Sequence, residues 1–200
     1  LVLSQDYEHI ELVVADDGST DGTVEWLVDL RERLGSKIVL RLAESNRGIT
    51  INSNAAHLAC SGKYIAWIGG DDLMCSGKIS RQVDHLERNL NCAICYHDLE
   101  VFDSSSGRVL QKFSEANRPR SGGVATMIKY GPFNGACSTM VRASCTSQSG
   151  FDERLPVASD WLYWIETLAA GGAITYIPET LGRYRRHAAN VTASDRSEER

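Results

Sequence analysis

Apolar positions along this chain gather into short blocks, and between those blocks apolar residues recur with helical spacing. Residues 10–15 form a nearly continuous apolar run of strand length that stops at Asp16-Asp17-Gly18-Ser19. Such a run suits a strand covered on both faces. A helix should follow, capped by Asp21 or Gly22, because Val24, Leu27, Val28 and Leu34 return on one face. The pattern then predicts a strand at 38–42, a helix at 49–60 and a strand at 64–68 that ends in Gly69-Gly70-Asp71-Asp72. Ile79, Val83, Leu86 and Leu90 mark an amphipathic helix, and 93–96 reads as the next strand. Strand–helix alternation of this kind implies βαβ units, an α/β class and a mainly parallel central sheet flanked by helices.

The rhythm weakens after residue 97. Residues 98–113 read as a strand pair around Ser104-Ser105-Ser106-Gly107, with Asp98 and Asp103 belonging to the pair and its turn. A looser stretch runs to about Phe133. Trp161, Leu162, Ile165 and Leu168 predict a helix that begins near Ser159-Asp160 and ends at Gly171-Gly172, with at least one of Trp161 and Trp164 in the core. Short strands are expected at 173–177 and 181–186. With no repeats and no Pro-rich linker, the expectation is one domain over 1–200. It comprises a nucleotide-binding half (1–97), an acceptor-side half (98–192) and a polar tail (193–200).

Composition narrows the function classes. A chain of 200 residues can bury a proper core, and 42% hydrophobic with 24% charged residues is ordinary for a globular protein. The net charge of −5 argues against a nucleic-acid partner, although an acidic protein still takes an anionic ligand when a cation bridges the two. No apolar run approaches the roughly 20 residues of a membrane-spanning helix. The six cysteines are too sparse for a disulfide scaffold, and Cys92-x-x-Cys95 without a second pair reads as two buried strand thiols. A reduced, cytoplasmic setting is expected, in which the Asn190-Val191-Thr192 sequon carries no meaning.

The candidate chemistry lies in the two acidic pairs, each predicted at the carboxyl end of a strand, where open α/β sheets bind ligands. Carboxylates there can bond a ribose or base, or hold a hard cation, and adjacent glycines let backbone approach closely. Either pair alone could be a turn former; two at equivalent strand ends point to a site.

The motifs, taken in order, carry a resemblance. The segment from Glu11 to Thr23 (ELVVADDGSTDGT) resembles the opening signature of family 2 glycosyltransferases, which have the GT-A fold. Asn46-Arg47-Gly48, Asn54-Ala55-Ala56 and Ser61 to Ala66 are similar to the family's next segment. Gly70-Asp71-Asp72-Leu73 falls where its D-x-D motif belongs. Gly150-Phe151-Asp152-Glu153 with Ser159-Asp160-Trp161 resembles the region of the catalytic base, and Tyr184-Arg185-Arg186-His187 resembles the closing motif.

The resemblance implies an inverting transfer from a nucleoside diphosphate sugar, by family habit UDP-linked, to a hydroxyl of a saccharide or glycolipid. Asp17 would contact uracil or ribose with Asp16 beside it. Asp71 would bind Mn2+ or Mg2+, with Asp72 or His187 assisting. Arg47, Asp72, Arg185 and Arg186 would hold the nucleotide, and Asp160 would be the general base. A role in surface polysaccharide or glycolipid synthesis would bring the chain to the inner face of a membrane without spanning it.

Two departures stand out. Gly69 occupies the first acidic position of D-x-D, and the family's opening strand and part of its first helix are not in the sequence, which starts near the end of that helix. The rival readings are a sugar nucleotidyltransferase and a non-catalytic nucleotide or carbohydrate binder on the same fold.

Overall fold

The computed structural model describes residues 2–156, 158–188 and 190. Its strands form two sheets. Strand β1 (Leu12–Asp16) pairs in parallel with β2 (Ile38–Leu42), joined through helix α1 (Thr23–Leu34). Gly22 caps α1 in the left-handed conformation, and the neighbouring Asp21 carboxylate accepts from Thr23 Oγ1 at 2.6 Å. Helix α2 (Ile49–His57) and strand β3 (Tyr64–Ala66) follow, then β4 (Leu73–Met74) and helix α3 (Lys78–Arg88). Strand β5 (Cys92–Asp103) runs without a break through residue 97 and turns into β6 (Val109–Lys112). Short helices α4 (Phe113–Ala116) and α5 (Val124–Tyr130) lead to strand β7 (Thr139–Arg142). Helix α6 (Ser159–Ala169) and strand β8 (Ala173–Arg186) complete the fold.

The larger sheet has the order β3-β7-β5-β8-β4, with β6 on the far part of β5. The α/β expectation holds, but this sheet is mixed rather than mainly parallel. Its β5 and β8 run parallel; β3–β7, β5–β7, β4–β8 and β5–β6 are antiparallel. Side chains alternate across it as a pleated strand requires. Ile94, Tyr96 and Val141 face α5 and α6, meeting Met127, Tyr163 and Trp164. Cys95 and Met140 face the other way, toward Ile79, Val83 and Leu86 of α3. The two expected strands at the chain's end are one. Pro178 lies where the register skips from His97↔Ile177 to Asp98↔Thr180, so the bulge takes up a residue that has no N–H to give a ladder.

Smaller differences follow from burial. Leu90 lies beyond the end of α3 and is 79% exposed, and Val28 turns outward while Leu30 packs beneath β1–β2. Cys92 and Cys95 are free buried thiols, as expected of strand residues.

Among the described residues β1 has no partner besides β2, and β3 none besides β7. Between these two edges lies a groove of about 670 Å³, walled by Leu12 and Val13 on one side and Tyr64 to Ala66 on the other. Its floor includes Ile79 and Val83 of α3. A strand laid there would join the two sheets into one.

Candidate active site

The first acidic pair divides its work. Asp16 is the last residue of β1 and is buried. Its carboxylate accepts from Gly18 N (3.1 Å), Ser19 N (2.8 Å) and Ser19 Oγ (2.6 Å), which closes the turn after the strand. Asp17 reaches away from that turn. Its two oxygens accept from Arg47 N and Gly48 N, each at 2.9 Å. Gly18 makes this junction possible: at φ +80°, an added Cβ would stand 2.7 Å from the Ser45 backbone. Arg47 itself is exposed on the clasped loop.

The loop that Asp17 grips opens α2, and α2 holds the start of α6. Thr50 Oγ1 donates to Leu155 O (2.8 Å) and to Ser159 Oγ (3.2 Å). One turn on, Asn54 accepts from Phe151 N (2.7 Å) and donates to Phe151 O (2.9 Å). Asp160 therefore starts α6 beside the N-terminal end of α2. Among the described residues its carboxylate accepts from Trp161 N, at 2.8 Å. Burial pushes its pKa above the ordinary carboxylate value, opposed by that backbone bond. Ala158 before it holds φ 57°, the one non-glycine positive φ among the described residues.

The second acidic pair is braced by the chain's closing segment. Asp72 is buried; its Oδ1 accepts from Arg185 N (2.9 Å), and the Cys137 thiol lies against it. Desolvation raises its pKa. The Arg185 guanidinium donates to Asp71 O (2.6 Å) through Nε and stacks over Phe102 at 4.7 Å. The Asp71 carboxylate faces out and meets His187 Nε2 at 2.9 Å. Asn190 closes the group: its Oδ1 accepts from His187 N (2.6 Å) and its Nδ2 donates to Arg185 O (3.1 Å). The Arg186 guanidinium lies 5.0 Å over the Tyr184 ring. At Gly69 an added Cβ would come within 2.7 Å of Asp71 Oδ1, the end of a side chain that can swing aside.

The structure thus joins Asp71, Asp72, Arg185 and His187 directly. It joins Asp17 to Arg47, and ties both to Asp160 through α2. The groove of the preceding section is lined by none of these residues. Asn190 and Cys137 were missed as site residues. Asn190 could have been found as a polar side chain one turn after His187; Cys137 lies 65 positions from Asp72 and gave no local signal.

A cation here would have few protein ligands. Among the described residues no three His, Cys, Asp or Glu side chains gather to hold one. Asp71 and His187 nevertheless present an oxygen and a nitrogen on one spot. That fits Mg2+ or Mn2+ of the kind bound through one or two protein groups, with substrate phosphates and water completing the shell.

Residues 1–146 match Glycosyl transferase family 2, and the chain belongs to that family. It is 30% identical to a Haemophilus influenzae glycosyltransferase, over 96% of this chain and 61% of that one. It is 28% identical to the Escherichia coli UDP-Glc:alpha-D-GlcNAc-diphosphoundecaprenol beta-1,3-glucosyltransferase WfaP, over 96% and 72%. The chain spans about half the length of other curated relatives, such as a Mycobacterium tuberculosis protein covered over 51% at 28% identity. Staphylococcus aureus TarS residues 1–349, solved with UDP, superposes with a TM-score of 0.70 over 91% of this chain and 53% of that one. At 16% identity this establishes the GT-A type fold alone.

Proposed function

We propose, from that family membership, that the chain transfers a sugar from a nucleoside diphosphate sugar, UDP-linked, to a saccharide or glycolipid hydroxyl with inversion. The observation that carries the reading is the outward Asp71 carboxylate, held by His187 on a turn that Arg185 braces through two separate contacts. Preorganised charge of this kind costs no rearrangement when a reaction develops charge beside it.

Asp17 and the 47–48 backbone it clasps would receive the nucleoside, with Asp16 shaping the turn that presents Asp17. Arg47, Arg185 and Arg186 supply cations for the diphosphate, for which a planar guanidinium is suited. Asp71 and His187 are the residues that would hold Mn2+ or Mg2+, which when bound draws charge from the leaving diphosphate. Asp72 stabilises the turn from beneath. Asp160 acts as the general base: it takes the proton of the acceptor hydroxyl as that oxygen bonds the anomeric carbon. The bond to the diphosphate oxygen breaks on the opposite face, which inverts the centre. The raised Asp160 pKa predicts that activity falls on acidification at a pH above the ordinary aspartate value.

Thermal shift tests the binding half. UDP with Mn2+ should raise the melting point more than either alone, and Asp71→Asn should remove the Mn2+-dependent part. A shift by UDP that ignores Mn2+ and survives Asp71→Asn would refute the assignment of Asp71. It would favour a nucleotide binder without transfer.

A further inference from the structure

From Ala116 to Phe151 the chain carries no Asp or Glu, although it has 26 acids in 200 residues and a net charge of −5. The cations of this stretch are Arg118, Arg120, Lys129 and Arg142. Arg142 is turned inward, donating to Leu86 O at 2.8 Å and Cys92 O at 3.3 Å. Arg118 is exposed in the loop before α5, and Arg120 and Lys129 stand with α5. The Arg120 guanidinium lies 3.6 Å over the Tyr130 ring and Lys129 Nζ lies 5.1 Å from it, so these three residues form one cluster. Beside it Ile128 is 58% exposed and Tyr130 45% exposed.

The cluster has a firm base. Tyr96 OH accepts from Arg120 N (2.7 Å) and donates to Arg120 O (2.8 Å), while Gly122 and Ile174 exchange both backbone bonds. The inner side of α5 is in the core at Met127, whose carbonyl accepts from Trp161 Nε1 at 3.2 Å. Trp161 follows Asp160 directly, so α5 borders the start of α6.

We propose that α5 and the 117–123 loop form a docking face for an anionic lipid surface. Basic side chains around an exposed Tyr and Ile match the chemistry of a membrane interface: cations pair with phosphate headgroups, and amphipathic rings settle at their level. Charge complementarity selects this partner, because in an acidic molecule α5 and its preceding loop contribute cations and no acids of their own. Docking there brings headgroups beside Asp160 and names the acceptor as a sugar carried on a lipid. That last step rests on the function proposed above; the docking itself does not.

Vesicle co-sedimentation of the purified chain separates the possibilities. Vesicles of phosphatidylcholine with 30% phosphatidylglycerol should bind it at low salt, pure phosphatidylcholine vesicles should not, and salt should release it. Each basic residue near an anionic surface contributes roughly fivefold to partitioning, so R118Q/R120Q/K129Q should lose about a hundredfold. I128S/Y130S should also weaken binding. Both variants should keep the wild-type melting point and UDP response, since none of these residues touches the acidic site. Vesicle binding unchanged in the triple variant, or absent in the wild type, would overturn the proposal. So would equal uptake by soluble polyglutamate, which would point to an acidic protein partner. Vesicle binding without any nucleotide response would leave the face standing and sink the function instead.

Discussion

The two Asp-Asp pairs are spelled alike, yet the fold uses them in opposite order. In the first pair Asp16 is buried and Asp17 reaches out; in the second Asp72 is buried and Asp71 reaches out. The strands explain the reversal. Asp16 ends β1, and Asp72 immediately precedes β4, so the member adjoining the strand turns inward and its neighbour turns outward. An acidic pair at a sheet edge therefore supplies one bracing carboxylate and one presented carboxylate, and strand position says which is which.

The two regions also differ in how well their polar atoms are satisfied. Asp16 has three donors around it. Behind Asp72 the interior holds Lys78, 0% exposed, whose Nζ has no hydrogen-bond partner among the described residues, and the same is true of His97 Nε2. Burial lowers the Lys78 pKa to about 8 and, with repulsion from Lys78 as the next cause, lowers that of His97 to about 3.

Substitutions can break or sharpen this contrast. The largest effect should come from the satisfied turn. Asp16→Ala strips its donors and should cost roughly 2–3 kcal/mol, or about 5–10 °C in melting point. Asp17→Ala should cost under about 1 kcal/mol, since water can reach the freed amides, yet should weaken UDP binding. Equal melting points for the two variants would erase the distinction between bracing and presented acids. Next in size, Lys78→Met should stabilise by about 1–2 kcal/mol, because an unpaired buried cation is replaced by an apolar side chain of similar length. Chemical denaturation measures it, and a loss of stability would show that Lys78 has a function in the fold.

The unsatisfied interior also predicts a pH slope. Below about pH 6.5 the unfolded chain binds a proton at His97 that the folded chain refuses until about 3. Stability held above that range is therefore lost on acidification, and His97→Gln should flatten the loss between pH 6.5 and 4.5. Identical slopes in the two proteins would contradict it.

Much of this was legible in the sequence because it is local. The β1 run, the α1 cap at Asp21-Gly22 and the amphipathic α3 follow from apolar spacing and turn residues within a few positions. Strand β7 was not legible: four residues are too few to show a period, and its burial comes from β3 and β5, far away in sequence. The mixed sheet was hidden for the same reason, since strand direction is settled by non-local pairing. At the site, the acids announced themselves by type and position. Which acid turns inward, and the brace that Arg185 and Asn190 provide from over a hundred residues away, required coordinates.

The proposed transfer turns on Asp160, an acid beside the start of α2 that removes the acceptor's proton. The most direct measurement is the transfer rate of Asp160→Asn, with UDP and Mn2+ binding followed on the same preparation. The rate should fall by at least about a hundredfold with binding unaltered. Transfer at the wild-type rate would contradict it.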